Sequence, residues 1–169
     1  MVPDAGEVRV APVTAAQWQA YRDVRLASLI DSPRAFWATY AEEAQRPDEE
    51  WQAFVGHALV WLALDGDRPV GLVGLYHSDD QPEHEVHLVQ MWVASAARGS
   101  GVADALVAAA LERARGRGWT RVRLEALRDN RRAWDFYLRL GFRPTGETAA
   151  MPWDPAAVEE AMVLDVPPS

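Results

Sequence analysis

Between Val86 and Ala103 an apolar strand runs into a turn, Arg98-Gly99-Ser100-Gly101-Val102-Ala103, and then into an alanine-rich helix. No other stretch of the 169 residues restricts the fold as much. Glycine at a strand-to-helix junction permits backbone angles closed to other residues and lets main chain approach a ligand. The first N–H groups of the helix have no partner inside it, and the helix dipole makes that end positive. Such a junction is suited to phosphate, although a plain turn would use the same residues.

The length suits a single domain spanning 1–169, with an ordered core over about 7–166. There is no cysteine, hence no disulfide framework and no thiolate nucleophile or metal ligand. All 17 basic residues are arginine, which excludes a Schiff-base lysine and the lysine of a nucleotide P-loop. A net charge of −8 argues against nucleic acid as the partner. No apolar run approaches the ~20 residues of a membrane span. The first residues lack the basic and apolar regions of a secretory signal, so the expected location is cytoplasmic without membrane attachment.

Periodicity gives the remaining elements. Glu7 to Val13 reads as a strand, and Thr14 precedes a helix with Trp18, Tyr21, Val24, Leu26 and Leu29 at helical spacing. Asp31-Ser32-Pro33 breaks it. A second helical region carries Phe36, Trp37 and Tyr40, and a third begins at Asp48-Glu49-Glu50. His57–Leu64 and Pro69–Tyr76 read as a hairpin around Asp65-Gly66-Asp67-Arg68. Strands follow at Glu85–Val93, Thr120–Ala126, Arg143–Thr148 and Ala161–Val166, with helices at Gly101–Arg115 and Asn130–Leu140. This order predicts an α/β (α+β) domain built on a mixed sheet with helices against it.

These residues resemble the GCN5-related N-acetyltransferase (GNAT) superfamily. Its Gln/Arg-x-x-Gly-x-Gly/Ala signature is matched by Arg98, Gly101 and Ala103, and the aromatic-Val pair ending the preceding strand by Trp92 and Val93. Its downstream pattern is matched by Asn130, Ala133, Tyr137, Gly141 and Phe142. The resemblance covers nearly the whole chain. It implies a mostly antiparallel sheet of about seven strands, and an enzyme that transfers acetyl from acetyl-coenzyme A directly to a primary amine in a ternary complex. On that reading Arg98, Gly99, Ser100, Gly101, Val102 and Ala103 hold the diphosphate. Backbone groups of Met91, Trp92 and Val93 pair with the pantetheine amides, and an amide near Val93 polarises the thioester. Asn130 faces the cofactor arm, and Tyr137 points its hydroxyl at the departing sulfur. A phenol, whose reference pKa of about 10 lies above that of a thiol, then serves as proton donor. By themselves, Asn130 also fits an N-cap, Gly141-Phe142 a helix C-cap, and Tyr137 a core position.

An amine must lose a proton before it attacks, and two bases are candidates. Glu125 matches a glutamate base of some ribosomal-protein members, though Arg121 and Arg123 offer it an ion pair. His87 stands where histone-type members carry their glutamate, and imidazole titrates in the useful range. Glu85 shares its side of the strand. His84 with His87, Glu83 and Glu85 hints at a metal, but His84 and His87 fall on opposite faces of a strand and no further ligands follow, so no metal is expected. Asp104 stands where many relatives place a basic residue near the phosphates, which could weaken the grip on the cofactor.

Acceptor choice is expected in Asp31–Trp37, Asp79–Glu85 and the loop Glu147–Pro155. Their acids, Asp31, Asp79, Asp80, Glu83, Glu85 and Glu147, suggest a small cationic amine. A protein N-terminus or lysine is the rival acceptor, and a non-catalytic acyl-coenzyme A sensor the rival class. Eight tryptophans leave room for a homodimer contact.

Overall fold

The computed structural model describes residues 7–168; the ends of the expected 1–169 unit, 1–6 and 169, lie outside the described residues. Seven strands form one sheet in the order β1-β2-β3-β4-β5-β7-β6. They are β1 (Arg9–Pro12), β2 (Leu59–Asp65), β3 (Arg68–Tyr76), β4 (Glu85–Val93), β5 (Arg121–Leu127), β6 (Arg143–Met151) and β7 (Asp154–Asp165). All neighbours are antiparallel except β4 and β5. The helices are α1 (Trp18–Asp31), α2 (Tyr40–Glu43), α3 (Asp48–His57), α4 (Val102–Gly116) and α5 (Arg131–Arg139).

Helices cover both faces, and the core is accordingly double. On one face Leu106, Val107, Ala110 and Ala114 of α4, with Tyr137 and the adjoining Phe142, pack on Val73, Leu75, Val86, Val122 and Leu124. On the other, Tyr21 and Val24 of α1 and Trp51 and Val55 of α3 pack on Val60, Leu62 and Leu72. Burial of this aliphatic surface drives the layering. The central strands read as near-continuous apolar runs because both of their faces are covered.

One irregularity positions the site. Leu72 lies opposite Trp92 and Gly74 opposite Val89, so β4 carries one more residue than β3 over this interval. The extra residue is a β-bulge, and Gln90 within it takes φ 59°, a left-handed conformation uncommon for any residue but glycine. Tyr21 Oη, 1% exposed as a residue, donates to Gln90 Oε1 at 2.7 Å and braces the bulge from α1. Pairing of β4 with β5 extends only from Glu85 to His87, opposite Arg121 to Arg123. Beyond His87 the two parallel strands part.

Two regions differ from the sequence reading. The expected helical region carrying Phe36, Trp37 and Tyr40, with Glu42 and Glu43, is helical only in its latter part: a 3-10 turn at Pro33–Ala35 and an extended residue at Phe36 precede the one-turn α2 over Tyr40–Glu43. Tertiary partners override local preference here: Trp153 Nε1 donates to Phe36 O at 3.0 Å, and Trp37 Nε1 donates to Glu159 Oε1 at 2.6 Å. The expected loop Glu147–Pro155 belongs almost entirely to the β6–β7 hairpin. Residues 143–150 of β6 are all exposed, so this edge strand never acquired the alternating pattern that identifies a half-buried one. His84 also lies in the turn before β4, not on the strand.

Gly71 of β3 leaves the space that α4 side chains occupy against the sheet. A Cβ there would stand 2.9 Å from Leu106 Cδ1, 3.2 Å from Trp92 O and 3.3 Å from Val102 Cγ1. Gly71→Val should cost about 1–3 kcal/mol by overpacking. The check is the urea midpoint at constant m; an unchanged midpoint would show that α4 can move away freely.

Candidate active site

Where β4 and β5 part, two cavities meet. The first, of about 820 Å³, runs from the α4 turn past α5 and is lined by Met91, Trp92, Val93, Arg98, Gly99, Gly101, Ala103, Asn130 and Tyr137, among others. The second, of about 620 Å³, contains His87, Gln90, Leu124, Glu125 and Glu159, with Arg25, Phe36 and Trp37 from the α1 side. Ala35, Met91, Leu127, Asn130, Ala133 and Tyr137 line both.

The α4 turn has the geometry that its sequence requires. Gly99 and Gly101 have φ 78° and 83°, and Gly101 is the N-cap. A side chain at either position would be strained. Ala105 N–H bonds Gly101 O at 3.0 Å as the first α-helical bond, so the N–H groups of Val102, Ala103 and Asp104 have no carbonyl within the helix. These are the donors a diphosphate needs. Ser100 and Val102 do not line the cavity with the rest: Ser100 Oγ donates to Ala97 O, and the Val102 side chain is buried in the core. Their contribution to a ligand is confined to the backbone. Arg98 is engaged as well. Its Nε donates to Val93 O at 2.9 Å and its Nη2 meets Asp31 Oδ2 at 3.2 Å, so it ties the turn to the end of β4.

Asp31 is therefore a wall of this cavity and not of the second one. Hydrogen bonds from Trp92 Nε1 at 3.0 Å and Ser32 Oγ at 2.8 Å, together with Arg98, hold its carboxyl below the usual range. Asp104 accepts two hydrogen bonds from Arg139 Nη2, at 3.0 and 3.2 Å. With Arg34, Arg98 and Arg132 on the same walls, the cavity keeps a cationic rim despite the acid at the helix start.

Helix α5 sets Asn130 and Tyr137. Asn130 Oδ1 accepts from Ala133 N–H at 3.3 Å as the N-cap, which leaves its Nδ2 group for the cavities it lines. At the other end Phe142 N–H bonds Tyr137 O at 3.0 Å and Gly141 N–H bonds Leu138 O at 3.0 Å, the two bonds of a Schellman cap. The cap returns Phe142 edge-on to the Tyr137 ring, 5.7 Å between centroids, while Phe136 lies 5.2 Å away on the other side. The tyrosine is thus both a core residue, 7% exposed, and a wall of both cavities. Burial pushes its phenol well above the usual range, so the hydroxyl stays protonated at neutral pH.

His87, Glu125 and Glu159 come from three strands. Glu125 Oε1 accepts from His87 Nε2 at 3.0 Å and from Arg123 Nε at 3.0 Å. Burial alone would raise the Glu125 carboxyl, but His87 and Arg123 outweigh it and the net shift is downward. The two candidate bases thus form one hydrogen-bonded pair. Glu159, opposite Leu127 on β7, is pushed upward by burial, only partly offset by the Trp37 hydrogen bond. Sequence reading missed Glu159 because only the β5–β7 register brings it here. None of Asp31, Asp79, Asp80, Glu83, Glu85 and Glu147 lines this second cavity. Glu85 is buried and accepts from Gln81 Nε2 at 3.1 Å, and Glu147 pairs with Arg123 at 2.6 Å. Among the described residues no group of three or more His, Cys, Asp or Glu could hold a metal, and no helix is long and apolar enough to cross a membrane.

The model of the acetyltransferase (GNAT) family matches residues 21–142. The chain belongs to that family. It is similar to N-acetyltransferase 8F1 of Rattus norvegicus, 37% identical over 93 residues, or 54% of this chain and 42% of the relative. Human N-acetyltransferase 8B is 30% identical over 123 residues, 69% of this chain and 54% of the relative. The chain spans about half the length of these relatives or less. In fold it is similar to yncA of Salmonella typhimurium, solved with its cofactor acetyl-CoA: TM-score 0.78, 14% identity, covering 97% and 96% of the two chains. NAA60 of Arabidopsis thaliana in complex with a bisubstrate analogue gives TM-score 0.70 at 16% identity, covering 96% and 100%.

Gly101→Ala isolates the α4 turn. The left-handed angle should cost about 1–2 kcal/mol of stability. A methyl on the donor face should raise the Kd for acetyl-coenzyme A about tenfold, equivalent to ~1.4 kcal/mol. Titration calorimetry and denaturation read the two effects separately; an unaltered Kd would remove this turn from the binding site.

Proposed function

We propose that this chain is an acetyl-coenzyme A-dependent N-acetyltransferase that acts on the primary amine of a small molecule by direct attack in a ternary complex. The observation that carries this reading is the meeting of two cavities at Tyr137, one rimmed by arginine and free helix N–H groups, the other by a carboxylate–imidazole pair. The first fits the donor: Val102, Ala103 and Asp104 N–H groups, with the arginine rim, would hold its diphosphate. The unpaired edge of β4 beyond His87 and the Nδ2 of Asn130 would hold its arm. When bound, acetyl-coenzyme A supplies the acetyl group as a thioester.

The second cavity takes the acceptor. Glu125, kept ionised, attracts an ammonium, and His87 with Glu125 removes its proton so that a neutral amine attacks. Tyr137 aims a hydroxyl where negative charge develops on sulfur. With its pKa raised, full proton transfer to a thiolate is uphill, so the phenol acts chiefly as a preorganised hydrogen-bond donor. The hydrogen bonds of Phe36 O with Trp153 and of Trp37 with Glu159 fix two aromatic residues that line the acceptor side. A cavity of about 620 Å³ is of a size for a small amine.

Tyr137→Phe should lower kcat at saturating substrates by about 10²-fold, the loss typical of one such donor, with little change in acetyl-coenzyme A affinity. An unchanged kcat would take the phenol out of the chemistry. Glu125→Gln should lower kcat/KM for the amine by about 10²-fold, because the acceptor loses the carboxylate that attracts its ammonium and helps take its proton. An unchanged kcat/KM would make Glu125 a structural ion pair with Arg123.

A further inference from the structure

Arg25, on α1, has no role in the scheme above, yet it lines the acceptor cavity. The residue is 4% exposed, and its Nε and Nη1 are sealed from water with no hydrogen-bond partner among the described residues. Its guanidinium lies 4.7 Å over the Phe36 ring, which orients it without satisfying its donors. Glu43, the acid whose charge it senses, pairs with Arg46 at 3.3 Å instead. A guanidinium stays charged, and burying it unpaired is strongly unfavourable. Those two donors are out of reach of a cavity ligand as well; Nη2 is not among the sealed atoms and has no hydrogen-bond partner among the described residues, so the uncompensated charge can meet an anion in the cavity through Nη2.

The rest of the cavity defines that ligand. Glu125 and His87 offer a site for an ammonium, and Phe36, Leu88 and Met91 supply apolar wall. We propose that the acceptor is an amino carboxylate, a molecule carrying a primary amine and a carboxylate, with the carboxylate received by Arg25 and the amine by Glu125 and His87. This rests on the transferase reading of the same site. In the transfer a C–N bond forms as the C–S bond breaks. The ammonium gives one proton to the imidazole–carboxylate pair before attack, and the second proton, shed by nitrogen as the amide forms, balances the one that the departing sulfur takes up. A buried guanidinium charge favours an anion over its neutral ester, so the preference should follow charge and not bulk alone.

The test compares acids with their neutral esters on the unmodified protein. Thiol release from acetyl-coenzyme A is measured with L-phenylalanine, L-leucine and 4-aminobutyrate, with their methyl esters, and with spermidine and a short peptide. At least one acid should exceed its ester by about tenfold in kcat/KM. The ester's amine is the more often neutral, so this preference runs against intrinsic reactivity. Arg25→Gln should bring the ratio close to one. Equal use of acids and esters, or turnover confined to spermidine or peptide, overturns the proposal.

A second measurement needs no turnover. 3-Phenylpropionate, an anion without an amine, should raise the melting temperature of the protein and not that of Arg25→Gln. No shift in the unmodified protein, or an equal shift in both, also overturns the assignment. Should no acceptor release thiol while acetyl-coenzyme A binds, the transferase reading falls, and the 3-phenylpropionate shift alone then decides the anion site. Arg25→Met, which removes the unpaired charge, should fold with a melting temperature no lower than that of the parent.

Discussion

The extra residue in β4 sits where the site opens. Pairing of β4 with β5 ends at His87, the bulge at Gln90 follows, and the two cavities meet beside Tyr137. A left-handed glutamine is costly, and it persists because the environment fixes it. The Tyr21 hydroxyl, buried and otherwise expensive to desolvate, finds its acceptor in Gln90, so one hydrogen bond satisfies a core tyrosine and stabilises the bulge together. Helix α1 thus does more than cover the sheet. It holds open the gap in which Met91 to Val93 are left without a strand partner on the β5 side.

The contrast between global and local charge follows from the same arrangement. A chain of net charge −8 would repel a polyanion at long range. Beyond a Debye length of roughly 8 Å in physiological salt, however, that repulsion is largely screened. On the proposed reading, a diphosphate in the first cavity would meet the free N–H groups of α4 and a wall that includes four arginines. Asp104 is neutralised by Arg139, from the helix that also carries Tyr137, so α5 ties the start of α4 to the place where the two cavities meet.

How much of this was legible in the sequence depends on the range of the interactions involved. Features set within a few residues were read correctly: the glycine turn, the Asn130 cap, the Schellman end at Gly141-Phe142 and the Asp65–Arg68 hairpin. Each follows from backbone geometry that particular residues favour. The placement of Tyr137 in both cavities follows from the same local code, since cap and C-terminal turn fix its rotation. Phe36 and Trp37 were misread as helical because their conformation is dictated by Trp153 and Glu159, more than a hundred residues away. The acids assigned to the acceptor side were those of the three segments expected to choose the acceptor, whereas the register of β5 with β7 decides which carboxylates face the cavity. Arg25 was invisible for another reason. On an amphipathic helix it reads as an ordinary surface cation, and only the closure of Phe36 over it turns it into a buried one.

That closure bears on why the acceptor side is built from strained or unsatisfied parts at all. Gln90 sits at an unfavourable φ, Glu159 is pushed towards neutrality by burial, and Arg25 keeps two donors without acceptors. Each could be relieved by a simple substitution that leaves the layers intact. A fold shaped by packing alone would have no use for three such residues around one opening. Their concentration where β4 and β5 part is what is expected when stability is conceded locally to hold a cavity in a shape and charge pattern set by its ligand.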